Sequence, residues 1–213
     1  MPEKDGTDQL PGTGPEDLSW MFEQGEVETA ENIETTIIHK RKPHRKNFAA
    51  LKQEVVKDFL TGLPESGETW HIVSNGKYDF WTFVPVILDL LRDPAQEFYG
   101  STWTMNRNNA RELLELFDQA RIEKIAIFTG VYFKRRETAV YATLTEGLFA
   151  RKQRYVAFQN HAKVILIKTE KAAIVIEGSA NFTANPRLEQ YCLSNDQGLY
   201  DFHRAWMEEM LNK

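Results

Sequence analysis

Two runs in the C-terminal part of the chain, Val164-Ile165-Leu166-Ile167 and Ala173-Ile174-Val175-Ile176, are apolar at every position and flank a turn over Thr169-Glu170-Lys171. Successive side chains of a strand point to opposite faces, so a strand wetted on one side alternates apolar and polar residues. A strand without that alternation is covered on both sides. The runs therefore predict two central strands, joined as a hairpin, in a sheet layered between helices. The preceding chain fits: His71 to Ser74, Glu97 to Thr104 and Lys124 to Thr129 read as strands. Phe80 to Leu91, Asn108 to Gln119 and Lys134 to Phe149 read as helices. Asp79 and Asn106 stand where N-caps belong, and Asp93-Pro94 stops the first helix. After Gly147 come strands at Tyr155 to Phe158, His161 to Ile167, Ala173 to Glu177 and Glu189 to Leu193, then a closing helix from Asp201 to Leu211. The fold class is α/β, a mixed sheet flanked by helices on both faces.

Charge is spread unevenly. The 213 residues hold 26 basic and 31 acidic side chains. Met1 to Thr35 contains ten acidic residues and one basic residue, Lys4, which leaves 25 basic and 21 acidic for the rest. Its first 31 residues, rich in Gly, Pro, Asp, Glu and Thr, read as a disordered acidic tail, with Leu18, Trp20, Met21 and Phe22 as its one apolar cluster. His39 to Lys46 is a basic run containing Pro43, which suits a linker and not an interior strand or helix. From Phe48 to Leu60, apolar residues at 51, 55, 56, 59 and 60 fit helical spacing, and Gly62 closes it. Residues 1–47 are thus expected as tail and linker, and 48–213 as one domain. Cys192 is the single cysteine, so no internal disulfide forms and a reducing compartment fits. No signal peptide is visible, nor any apolar stretch near the roughly 18 residues of a membrane span. A cytoplasmic location away from membranes is expected.

The two apolar runs carry chemistry at their outer ends. His161-Ala162-Lys163 leads into the first and Gly178-Ser179-Ala180-Asn181 leaves the second. Residues two apart on a strand share a face, so His161 and Lys163 are placed to meet one ligand, and the hairpin returns Gly178 and Ser179 beside them. Lys163 would balance phosphate charge, Ser179 and Asn181 would hydrogen-bond its oxygens, and Gly178 would allow close backbone approach. An attacking imidazole needs one nitrogen free of a proton and a partner at the other. Glu189, at the start of the next strand, is the candidate partner. Taken singly, a histidine on a strand and a Gly-Ser turn have ordinary structural explanations; the joint spacing is much harder to reach from packing alone.

His-x-Lys followed by Gly-Ser-x-Asn resembles the phospholipase D superfamily, and most of all its short single-motif members, such as metal-independent endonucleases and phage-type proteins. The resemblance covers about two thirds of the chain, from His71 onward. It implies a phospholipase-D-like sandwich and makes 48–213 a catalytic domain in which His161 forms a phosphohistidine. Lys163, Ser179 and Asn181 would bind the phosphate, and Glu189 would orient His161. Two motifs face each other in that family; this chain has one, because His39, His44, His71 and His203 are not followed two residues later by lysine. The resemblance therefore implies a homodimer with one composite site. One departure stands out. The family's aspartate, five residues after the lysine, is Lys168 here, which leaves open a catalytically weak or inactive nucleic-acid-binding or assembly protein of the same fold.

Three basic clusters favour a nucleic-acid substrate, DNA or RNA, over a phospholipid: Lys40, Arg41, Lys42, Arg45 and Lys46; Lys134, Arg135 and Arg136; Arg151, Lys152 and Arg154. Each alone also reads as solvated charge. No amphipathic or apolar rim for a bilayer is evident, although a phospholipid phosphodiesterase remains an alternative. Trp103, Tyr132, Phe133 and Phe158 are able to stack bases, and such aromatics are more commonly core. No metal-ligand spacing or phosphate-binding glycine loop occurs, so a metal-free, cofactor-free nuclease is expected.

Overall fold

The computed structural model describes residues 35–42, 45–52, 56–75, 78–183 and 187–213. Residues 1–34, and with them the expected tail, lie outside these. The described residues form nine strands: β1 (Thr35–Lys42), β2 (Arg45–Lys52), β3 (Thr69–Ser74), β4 (Glu97–Ser101), β5 (Ile125–Gly130), β6 (Arg154–Phe158), β7 (Val164–Lys168), β8 (Ala173–Gly178) and β9 (Glu189–Asn195). They make one mixed sheet in the order β2-β1-β3-β9-β8-β7-β4-β5-β6. β4, β5 and β6 run parallel, and the other neighbours are antiparallel.

β7 and β8 pair Ile165 with Ile176 and Ile167 with Ile174. These four isoleucines enter one core, together with residues of α2 (Phe83–Leu91), α3 (Arg107–Asp118) and α5 (Thr138–Ala150). The alternate residues Val164, Leu166, Ala173 and Val175 face a second core closed by Tyr200 and Met207 of α6 (Gln197–Leu211). Both faces are covered, as the continuous apolar runs required, and each buried Val, Leu or Ile side chain contributes about 1.5–3 kcal/mol. Helix starts follow local chemistry. Asp79 caps a 3-10 turn (Phe80–Thr82) leading into α2, Asn106 caps α3 through the Asn109 amide at 2.9 Å, and Asp196 caps α6 through Leu199 at 3.0 Å. Arg92 ends α2 in a left-handed conformation, φ 63°.

Three expectations change. The basic run is not a linker: Lys40, Arg41 and Lys42 end β1 and Arg45 and Lys46 open β2, and the two strands pair antiparallel over these residues. The helix expected over Phe48 to Leu60 shrinks to α1 (Val56–Phe59), because residues up to Lys52 pair with β1, and strand pairing overrides local helical periodicity. The helix over Lys134 to Phe149 divides into α4 (Phe133–Arg136) and α5, since Glu137 at φ −128°, ψ 51° is not helical.

The register gives the sheet two functional ends. Ser74 pairs with Glu189, Gly178 with Tyr191 and Ser101 with Val164, so the starts of β7 and β9 and the ends of β3, β4, β5 and β8 share one end. Thr69 pairs with Ser194 and with Arg41, which puts the paired residues Lys42 and Arg45 at the other end, a β3 length or roughly 17 Å away.

Candidate functional site

β7 begins at Val164, so His161 and Lys163 lie on irregular chain just ahead of the strand that was expected to carry them. Asn160 is the cause. Buried behind the site, it accepts the Ala162 amide at 3.0 Å through Oδ1. Its Nδ2 donates to Ser101 Oγ at 3.0 Å and to the carbonyls of Thr102 and Phe128 at 3.4 Å. Ser101 Oγ donates in turn to the Ala162 carbonyl at 3.0 Å. Ala162 is thus clamped from both sides, and the residues around it are displayed. His161 is exposed while Lys163 is buried, with Nζ folded back onto His161 Nδ1 at 3.1 Å and onto the His161 carbonyl at 2.8 Å. Burial lowers the pKa of this ammonium, and the nearby charge of Glu189 opposes that shift.

Across β8 and β9, Ser179 Oγ donates to Glu189 Oε2 and accepts the Gln190 amide at 3.1 Å. Glu189 is buried and starts β9. Its carboxylate engages Ser179, while the Nδ1 of His161 faces Lys163. Asn181 directs Oδ1 to the Trp103 amide at 3.3 Å, and Phe182 is anchored by Thr102 and Asn109. Gly178 has a packing reason for its missing side chain: a Cβ there would stand 2.7 Å from Cδ1 of Tyr191. Lys168, in place of the family aspartate, lies at the far end of β7 and donates to Gln197 at 2.6 Å.

His161, Lys163, Gly178 and Ser179 line one open cleft of about 520 Å³. Glu177 and His203 line it too, and neither was visible as a site residue in the sequence. His203 carries no motif, and only the packing of α6 against β8 brings it there. It is 6% exposed, accepts the Trp206 indole N–H on Nδ1 at 3.1 Å and lies 3.2 Å through Nε2 from Glu177 Oε1. Among the described residues, no three His, Cys, Asp or Glu side chains converge so as to hold a metal ion.

The basic clusters are separated by the sheet. Lys134, Arg135 and Arg136 follow β5 and stand at the His161 end. Arg151, Lys152 and Arg154 stand where β6 begins, a strand length away at the opposite end. Arg151 pairs there with Asp118 at 2.5 Å and Arg154 with Glu208 at 2.7 Å. The register puts Lys40, Arg41 and Lys42 of β1 and Arg45 and Lys46 of β2 at that same far end. Of the four aromatics, Phe133 is buried and Phe158 packs against the second core. Trp103 and Tyr132 line a second hollow of about 260 Å³ that shares His161 as a wall. The Trp103 ring lies 6.1 Å from the His161 ring and carries the Arg136 guanidinium 4.7 Å from its centre.

No family model matches the sequence, and no curated protein matches it. Solved structures do share its shape. Polyphosphate kinase from Porphyromonas gingivalis aligns at TM-score 0.50 and 17% identity over 68% of this chain and 26% of the kinase. Nuc, a phospholipase D family member from Salmonella typhimurium, aligns at 0.47 and 14% over 61% of this chain and 86% of Nuc. TrmBL2, an archaeal chromatin protein with a novel mode of DNA binding, aligns at 0.44 and 12% over 65% and 51%. The chain spans about a quarter of the kinase and half of the chromatin protein. At such identities the likeness concerns fold alone, a mixed sheet flanked by helices. No described helix is long and apolar enough to cross a membrane.

Proposed function

We propose that the protein is a phosphodiesterase that needs no metal and cleaves DNA or RNA through a phosphohistidine on His161. The observation that carries this reading is the meeting of His161, Lys163 and Ser179 at one open cleft, with Glu189 behind them. Lys163 and Ser179 bind the phosphate, with Asn181 holding the loop beyond β8. For Nε2 to attack, Nδ1 must carry the ring proton. An ammonium only donates, so its contact with Nδ1 sets the opposite tautomer. An arriving phosphate draws Lys163 to itself, and Glu189 then takes the Nδ1–H, as an orienting carboxylate should. The leaving oxygen takes its proton from the His161 imidazolium of a second copy, in a homodimer that closes over the cleft. Exposed Leu188 and Phe202, neighbours in sequence of Glu189 and His203, support such an interface. Nucleic acid is favoured over lipid by the flank of His161 formed by Arg136, Trp103 and Tyr132, with Lys134 and Arg135 on the same short helix as Arg136.

The test is cleavage of plasmid and single-stranded substrates in excess EDTA, wild type beside His161→Ala. Wild type is expected to cut and the variant to be silent. Binding without cleavage by the wild type would favour the inactive nucleic-acid-binding reading, and release of lipid headgroups from liposomes would favour the lipid one.

A further inference from the structure

We propose that Glu177, held by His203, is the base that activates water against the phosphohistidine, so that the second half of the reaction is completed within one chain. This rests on the phosphohistidine reading and extends it. A carboxylate in a cleft built for phosphate repels the substrate, and a glutamine at that position would fill the same space without that penalty. Its presence calls for a role that only a carboxylate fills. The surroundings supply one. The Trp206 indole N–H donates to His203 Nδ1, and an indole nitrogen has no other hydrogen-bonding role. Nδ1 is therefore an acceptor, the ring proton sits on Nε2, and Nε2–H donates to Glu177 Oε1. His203 is buried and fixed in this tautomer, so it acts as a positioning residue that holds the Glu177 carboxylate in place. The Glu177 side chain is itself 44% exposed and lines the cleft alongside His161.

The steps balance. In the first, the His161 Nε2–P bond forms, the bond from phosphorus to the leaving oxygen breaks, and that oxygen takes a proton from the second copy. In the second, water attacks phosphorus and gives one proton to the Glu177 carboxylate. The N–P bond breaks with its electron pair returning to Nε2, Glu177 releases the proton to solvent, and the second copy's imidazole regains from solvent the proton it gave up.

The test uses full-length protein, bis(p-nitrophenyl) phosphate in EDTA, and rapid-quench detection of phosphate on His161. Glu177→Gln should release one nitrophenolate per site in a burst and accumulate the phosphoenzyme. Its steady-state rate should fall about 10²–10⁴-fold, the range of a lost general base. Its KM should also fall, because the repelling charge is gone and the intermediate builds up. Glu177→Ala should behave alike and recover dephosphorylation with added formate, which a merely structural role would not show. Unchanged turnover in Glu177→Gln, or slow turnover with no burst and no formate rescue, overturns the proposal. A wild type that forms no phosphoenzyme and releases no nitrophenolate overturns the phosphodiesterase reading itself, a result distinguishable from either.

Discussion

Asp79 is the polar knot behind the site, and removing it should loosen fold and loop together. Buried at 8% exposure, its carboxylate accepts four hydrogen bonds: from the Thr82 amide at 3.1 Å, Thr82 Oγ1 at 2.9 Å, Asn109 Nδ2 at 2.7 Å and Asn106 Nδ2 at 3.3 Å. Asn109 Nδ2 also donates to the Phe182 carbonyl at 3.0 Å, which ties the knot to the segment carrying Asn181. In Asp79→Ala the lost cap costs about 1 kcal/mol. Leaving the buried Asn109 donor short of an acceptor costs about 1–3 kcal/mol more. The total, about 2–4 kcal/mol, corresponds to a melting temperature lowered by about 4–16 °C in a chain of this size. Asp79→Asn keeps a capping oxygen and should recover roughly 1 kcal/mol of that loss. Thermal unfolding at pH 7 followed by circular dichroism measures both. A drop below about 2 °C for Asp79→Ala would refute the reasoning, since it would mean that the knot is not closed in solution.

Three further outcomes follow from the geometry. Lys163→Met should melt higher than wild type at pH 7 while losing phosphate binding. Burial lowers the Lys163 pKa, so the folded chain holds that proton less tightly than the unfolded chain, and wild-type stability rises as pH climbs toward the ordinary lysine value; the gap between the two proteins should therefore narrow by pH 10. Glu208, brought down to about 2 by the Arg154 guanidinium, stabilises the fold above the ordinary carboxylate range and loses that contribution as pH falls through about 2; being partly exposed, Glu208→Gln should cost only about 1 kcal/mol in a pH 7 denaturant titration, and less at pH 2 to 3. In a salt titration of oligonucleotide binding, Arg136→Ala should flatten the slope by about one charge, whereas Arg151→Ala, at the far end and paired with Asp118, should leave it unchanged.

The layered architecture was legible because its signals are local. Continuous apolar runs marked β7 and β8 as doubly covered, and Asp79 and Asn106 announced their helices. Motif spacing brought His161, Lys163, Ser179 and Glu189 to one place, although His161 and Lys163 left the strand that spacing alone assigned them. What sequence could not show depends on distant partners. Residues 48–60 have a helical period, yet β1 lies alongside and takes the first five of them into the sheet. The clamp on Ala162 needs Asn160 beside Ser101, 59 positions apart. Glu177 reads as an ordinary strand residue until α6 lays His203 against it. The basic clusters looked alike in one dimension, and only strand direction tells the one beside His161 from the two a sheet length away.

The sheet order also fixes how the protein should fail. β9, β8 and β7 are the middle three of the nine strands, and the residues of the cleft hang from their ends. Each of the three is paired on both sides and buried by helices, so amides there should be among the slowest in the molecule to exchange with solvent. Under rising denaturant or heat, function should vanish on the same curve as the fold, and the melting temperature should serve as the ceiling of the working range.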